Sequence, residues 1–189
     1  MTRVPPREPI RTERLVLWPV DEAWAEAHRE AVGSSIAELR PWMPWAAAAD
    51  LRETRRFVES SSRAWAEGRT FDFSVVEDGS GAVAGGLGLT VISDEAGIIE
   101  LGYWVRADRR GRGYAVEAGA AAVELAFGPL SMHRVELRAG VGNTASRRVA
   151  EKLGFTLESD RLRDSGLGAD GRYDCCLYAR LVTDPSARG

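Results

Sequence analysis

The sequence predicts one mixed α+β domain, and three observations lead there. Its 189 residues suffice for a sizeable core and show no linker, internal repeat or low-complexity tract. Between Phe71 and Val105 apolar residues alternate or gather in short runs, the pattern of strands. Beyond Arg109 the pattern becomes β-α-β-α-β-β, an order that fits an α+β fold.

The elements follow in chain order. Met1 to Arg11 is Pro- and Arg-rich and reads as a poorly ordered lead-in. Residues 1–10 are assigned to that flexible segment, 11–182 to the domain and 183–189 to a tail. Leu15 to Trp18 form a short strand before Pro19, and Asp21 caps a helix over Glu22 to Val32. Leu39-Arg40-Pro41-Trp42-Met43-Pro44-Trp45 is a loop. Asp50 caps a second helix, which runs to about Glu67 and is closed by Gly68. Phe71, Phe73 and Val75 alternate with polar residues in a strand. Val83 to Ile92 and Ile98 to Val105 are two more, and Asp78-Gly79 marks the turn between the first two. A helix spans Tyr114 to Phe127 and stops at Gly128-Pro129, and Arg134 to Val141 is a strand. Asn143 caps a helix ending at Leu153, with Gly154 beyond it as a C-terminal glycine. Thr156 to Arg163 and Tyr173 to Leu181 are the last strands, and Asp164 to Arg172, with three glycines, reads as a mobile loop or hairpin tip.

Composition narrows the function classes. Hydrophobic residues make up 44% and charged residues 28%, an ordinary globular balance. No apolar run approaches the roughly 20 residues that span a bilayer, and the N-terminus lacks the apolar core of a signal peptide. A cytoplasmic protein without a membrane partner is expected. A net charge of −3 argues against a general nucleic-acid binder. Cys175 and Cys176 are adjacent, which supplies neither a disulfide framework nor metal-type spacing.

The most specific chemistry lies in Arg109-Arg110-Gly111-Arg112-Gly113-Tyr114-Ala115, between a strand and a helix. Glycines let the backbone turn and approach a ligand. The first N–H groups of the following helix have no intrahelical partner, so they form an anion site with the helix dipole behind them. The segment reads as a pyrophosphate clamp holding its ligand with the amides from Arg110 to Ala115. The three arginines add positive charge. Gly111 to Val116 also loosely matches a G-x-G-x-x-G dinucleotide fingerprint. Val116 is too large for its third glycine, however, and the motif follows several strands where it ought to open the domain.

Four further segments, with the clamp, give a family likeness. They are Arg11 to Leu17, Leu39 to Trp45, Glu100 to Val105, and Asn143-Thr-Ala-Ser-Arg-Arg-Val-Ala-Glu-Lys-Leu-Gly-Phe155. In that order the chain resembles the GNAT superfamily of acetyl-CoA-dependent N-acetyltransferases, and within it the RimJ/RimL-type branch, which acetylates N-termini of ribosomal proteins. Arg110, Gly113 and Ala115 stand at the positions of that family's R/Q-x-x-G-x-G/A motif. The resemblance implies a central, mostly antiparallel sheet with helices on both faces, splayed where acetyl-CoA inserts. It implies a monomer or homodimer.

Site roles follow from the resemblance. Cofactor contacts are expected from Tyr103, Trp104, Val105, Arg110, Gly111, Arg112, Gly113, Tyr114, Ala115, Asn143 and Arg148. Backbone groups near Trp104 and Val105 would pair with the pantetheine arm as an added strand does, and a nearby N–H would face the thioester oxygen. Glu100 is the candidate general base, because α-amino groups (pKa about 8) and lysine amines (about 10.4) are largely protonated at neutral pH. Ser146 is the candidate donor to the departing thiolate. Trp42 and Trp45 are expected to wall the acceptor groove, with Phe73, Tyr173 and Tyr178 able to serve there or in the core. The implied reaction is direct acetyl transfer to a primary amine: first a protein or peptide N-terminus, second a small amine such as an amino acid, polyamine or antibiotic. A non-catalytic acyl-CoA sensor is the third reading. No metal is required.

Overall fold

The computed structural model describes residues 4–48 and 50–185. Among them, eight strands join in one sheet: β1 (Ile10–Arg11), β2 (Leu15–Pro19), β3 (Thr70–Glu77), β4 (Val83–Ser93), β5 (Ile98–Val105), β6 (Arg134–Gly140), β7 (Thr156–Gly168) and β8 (Gly171–Leu181). Their spatial order is β1-β2-β3-β4-β5-β6-β8-β7. Every neighbouring pair is antiparallel except β5 and β6.

That one parallel pair is short. Ile98, Ile99 and Glu100 oppose Arg134, Val135 and Glu136, and there the pairing stops. β5 continues to Val105 along β4, and β6 continues to Gly140 along β8. The two strands therefore part beyond Glu100, giving the splay that the family likeness led one to expect.

Among the described residues, five α-helices pack on the sheet: α1 (Ala25–Gly33), α2 (Ile36–Leu39), α3 (Leu51–Ala66), α4 (Tyr114–Phe127) and α5 (Thr144–Lys152). The main core joins Ala118, Ala122, Val123 and Ala126 of α4 to Leu15, Leu17, Phe71, Leu89, Ile99 and Val135 of the sheet. A second cluster, Ala31, Val32, Leu39, Val76, Val83 and Trp104, lies under α1 and α2. Alternation along the strands sends Leu101 to the first cluster and Trp104 to the second, so helices cover both faces.

Helix starts are set by the expected caps. Asp21 accepts from the Ala23 N–H (3.0 Å), Asp50 from Glu53 (2.8 Å) and Asn143 from Ser146 (3.1 Å). The first helix differs in its opening turn, which is 3₁₀ over Glu22–Trp24.

One expectation near the N-terminus needs correction, and one reading further along is narrowed. Part of the N-terminal lead-in is tied down. The Pro5 carbonyl accepts from Trp65 Nε1 (3.1 Å), and Arg7 donates to Ser62 Oγ (2.8 Å) and lies over the Trp65 ring. Residues 1–3 and 186–189, the outer parts of the assigned lead-in and tail, lie outside the described residues. Of the two readings of Asp164 to Arg172 the hairpin tip holds: β7 runs to Gly168 and pairs with β8 from Gly171, so the turn itself is only residues 169–170 and the loop reading falls. The segment's glycines serve close approach more than turning. A Cβ on Gly166 would stand 2.1 Å from the Tyr173 ring, and one on Gly168 would stand 2.2 Å from the Pro41 carbonyl oxygen.

Candidate active site

The splay, the clamp and a large cavity adjoin one another. The clamp begins after a 3₁₀ turn at Ala107–Arg109. Gly111 (φ 75°) and Gly113 (φ 83°) take left-handed conformations that favour glycine. Gly113 is the N-cap of α4 and has no side chain to satisfy the first turn. Val116 and Glu117 both donate to the Gly113 carbonyl, each at 3.0 Å. Among the described residues, the amides of Gly111 to Ala115 donate to no backbone carbonyl, whereas Arg110 N–H reaches Ala107 O at 3.5 Å. The free amides thus start at Gly111, one residue later than expected.

The arginines behave differently from the simple reading. Arg109 Nε lies 3.1 Å from Glu77 Oε1, and Arg112 lies 3.6 Å from the same atom. Tyr114 Oη donates to it as well (2.8 Å). Burial pushes the Glu77 carboxyl up. Hydrogen bonds from Ser80 and Tyr114 and the charges of Arg109 and Arg112 outweigh this and hold it below its usual value. Two of the three clamp arginines are therefore partly spent on Glu77, bracing the loop. Arg110, and Arg148 on α5, are exposed and make no ion pair among the described residues. Arg14 braces the clamp from β2's approach, donating to Arg112 O (3.0 Å) and Glu117 (2.7 Å). Nothing in the sequence near the motif signals Arg14 or Glu77.

The edge of β5 is next. Arg106 N–H donates to Ala84 O (2.8 Å), and Val105 opposes Gly85. Backbone groups alternate between the two edges of an antiparallel strand. Those of Arg106 and Trp104 therefore serve β4, and those of Tyr103 and Val105 face the splay. Trp104 is corrected on this point. Its carbonyl is so close to Gly85 that a Cβ there would stand 2.2 Å away, and its side chain lies 5.2 Å edge-on to His28.

Across the splay, Tyr103 Oη and Ser146 Oγ are 2.9 Å apart. Burial raises the Tyr103 phenol, partly opposed by the Ser146 hydrogen bond, so at neutral pH it stays an uncharged hydroxyl. The tyrosine hydroxyl is a partner that sequence reasoning missed, having used only its backbone. Asn143 spends Oδ1 on the Ser146 N–H and keeps its Nδ2 for another acceptor.

Glu100 and Tyr103 both line a cavity of about 850 Å³. Its floor is Gly86, Gly88 and Gly102, and its walls include His28, Trp45, Phe57 and Trp104. Glu100 lies 3.5 Å from Arg138. Burial raises its carboxyl, Arg138 pulls the other way, and Glu136 adds to the rise. The direction suits a base that must hold a proton taken from an amine.

The five candidate groove residues divide. Trp45 lines the cavity, 6.2 Å edge-on to Trp104. Trp42 instead stacks edge-on with Tyr173 (5.4 Å), takes its hydroxyl at the main-chain oxygen (2.9 Å) and covers Gly140. The segment Leu39 to Trp45 so touches both lips of the splay, β6 through Trp42 and β5 through Trp45. Phe73 is buried against Trp65 and only borders the cavity. Tyr178 is fully buried, its hydroxyl accepting from Arg147 Nε (3.1 Å), which makes it core.

A helix-flanked sheet parted beside a glycine-opened helix start defines the class, an acyl-transferase domain. A model of the acetyltransferase (GNAT) domain matches residues 14–156, and the chain belongs to that family. YdaF of Bacillus subtilis (strain 168), named as a ribosomal N-acetyltransferase, is 29% identical over 84% of this chain and 85% of its own. Among solved structures, RimJ of Mycobacterium smegmatis in complex with CoA-disulfide is 25% identical with a TM-score of 0.87, covering 99% of this chain and 94% of that one. RimL, a ribosomal L7/L12 α-N-protein acetyltransferase in complex with coenzyme A, shares the fold: TM-score 0.85 at 23% identity, over 92% of this chain and 98% of that one. Within the family the likeness is of the RimJ/RimL type.

Proposed function

We propose that this chain transfers the acetyl group of acetyl-CoA to a primary amine, with a protein or peptide N-terminus as the first acceptor to test. The observation that carries the proposal is the continuous path from the free amides of Gly111 to Ala115, along the unpaired edge of Tyr103 and Val105, to Glu100. These residues fit the carrier. Unpaired amides suit a diphosphate, and an open strand edge suits an extended polyamide arm.

Acetyl-CoA supplies the activated acyl carbon. Gly111 to Ala115 hold its diphosphate, with Arg110 and Arg148 adding charge at the surface. Tyr103 and Val105 orient the arm, with Asn143 Nδ2 free to join them, and an N–H of this edge faces the carbonyl oxygen as it gains charge. Glu100 takes a proton from the acceptor's ammonium, directly or through water, and frees the lone pair for attack. Ser146, hydrogen-bonded to Tyr103, is placed to protonate the departing sulfur. With a free thiol pKa of about 8.5, that donor has only a modest effect. The two buried free cysteines accord with a reducing, cytoplasmic setting.

The test is CoA release from acetyl-CoA across a panel of peptides and small amines, with acetyl-CoA binding measured by calorimetry. Turnover on peptides supports the N-terminal reading, and turnover confined to small amines redirects it to them. Tight binding with no turnover on any amine identifies an acyl-CoA sensor and ends the enzymatic reading.

A further inference from the structure

We propose that Asp72 is the second cation-binding group of the acceptor cavity, so that the favoured acceptor is a dication: an amine with another positively charged nitrogen a few atoms from the reacting one. This rests on the reading of Glu100 as the base of an amine acetyltransferase, and it names the acceptor's chemistry.

The register places Asp72 on the same face as Glu100. Asp72 opposes Gly88, which opposes Gly102; one row along, Thr70 opposes Thr90, which opposes Glu100. Gly88 leaves its place on the floor empty, and the Asp72 carboxylate leans into it. A Cβ on Gly88 would stand 2.6 Å from Asp72 Oδ1. From that spot Glu100 is the diagonal neighbour on the next strand, and such neighbours lie about 7–8 Å apart. Two carboxylates thus face each other over a glycine floor at a span that a short dication bridges.

Arg63 and Arg69 border a second, smaller pocket with Asp72, but Arg69 is engaged by Glu67 and neither forms an ion pair with Asp72. Asp72 is hydrogen-bonded to Ser61, and among the described residues it makes no ion pair. In the cavity wall Arg56 is engaged by Glu53 (2.6 Å), and Arg63 is exposed on α3. A partly buried carboxylate without a counter-charge is costly, and a cationic ligand relieves the cost. An independent observation agrees. His28 lines the same cavity, is 8% exposed, and its buried Nδ1 has no hydrogen-bond partner. Asp72 and Glu100 as carboxylates accept hydrogen bonds, and a neutral imidazole has one nitrogen that accepts. The complementary ligand is rich in N–H donors. Trp45, Phe57 and Trp104 offer apolar surface for its methylenes and ring faces for its charge.

Two sources share this chemistry, a free linear diamine and a peptide beginning with lysine or arginine. The experiment measures acetyl transfer by the full chain to butylamine, 1,4-diaminobutane, and matched tripeptides starting with Ala or Lys. The expected result is a kcat/KM about tenfold or more higher for at least one dication than for its monocation partner; the arm with the preference names the source. Asp72→Asn should abolish the preference through KM, leaving kcat within about threefold and the acetyl-CoA Kd unchanged. Ser61→Ala, which keeps the charge, should retain the preference. Gly88→Ala, which displaces the carboxylate without removing it, should weaken the preference, and it carries the test if Asp72→Asn does not fold. Equal efficiency on mono- and dications in the wild type, or a preference that survives Asp72→Asn, overturns this inference. Absence of turnover on every amine overturns the acetyl-transfer reading instead.

Discussion

The proposed acetyl transfer turns on Glu100. Removing its proton-accepting oxygen in Glu100→Gln should lower kcat by about a hundredfold or more, with acetyl-CoA affinity unchanged. Burial raises its carboxyl, so the acidic limb of kcat/KM in the wild type should fall above the usual carboxylate range and vanish in the variant. A limb unchanged in Glu100→Gln would assign the base elsewhere. His28 makes a separate prediction about stability. Burial lowers its pKa from 6.5 to about 4, so the folded protein keeps it neutral while the unfolded chain protonates it. Its contribution is present above pH 6.5 and is lost as the pH falls from 6.5 towards 4, at most about 3 kcal/mol. Urea melts of His28→Gln should therefore show a shallower loss of stability than the wild type in that window. Glu100 was singled out from its place in a recognisable motif, and the structure puts it on the cavity lining. Asp72 was not legible, because its meaning depends on glycines two strands across the sheet. Nor was the Tyr103–Ser146 contact, which joins residues 43 apart in the chain.

At the scale of elements, glycine does two distinct jobs here. At Gly113 it permits a left-handed backbone and leaves the first amides of α4 bare. Gly113→Val should cost about 1–2 kcal/mol of stability through backbone strain and raise the acetyl-CoA Kd by an order of magnitude. Calorimetry together with thermal melts separates the two effects. At Gly85 the glycine admits the Trp104 carbonyl, which a Cβ would meet at 2.2 Å, so Gly85→Ala should destabilise the β4–β5 pair, read as a lowered Tm. Strands, helices and caps were readable from period and punctuation. In Asp164 to Arg172 the hairpin tip was anticipated but its strands were read too short, because glycines that clear space for Tyr173 and Pro41 look, in one dimension, like glycines that turn a chain. Spacing along the sequence carries no record of what packs on top.

Over the whole molecule, the order of elements and the family motifs were enough to anticipate a single splayed sheet with helices on both faces. Of the cavity, Trp45, Phe73 and Glu100 were anticipated, and the rest was not legible because its parts come from α1, α3 and three strands. The segment from Leu39 to Trp45 touches both lips of the parting, with Trp42 against Gly140 and Trp45 against Trp104. A guest in the parting that shifts this segment would also move a wall of the neighbouring chamber. The two pockets would then be thermodynamically linked, and whatever factor the carrier imposes on the amine's affinity, the amine returns to the carrier. Titrating a non-reactive amine with and without CoA would read that factor directly. Trp42→Ala, by uncoupling one lip, should drive it towards unity.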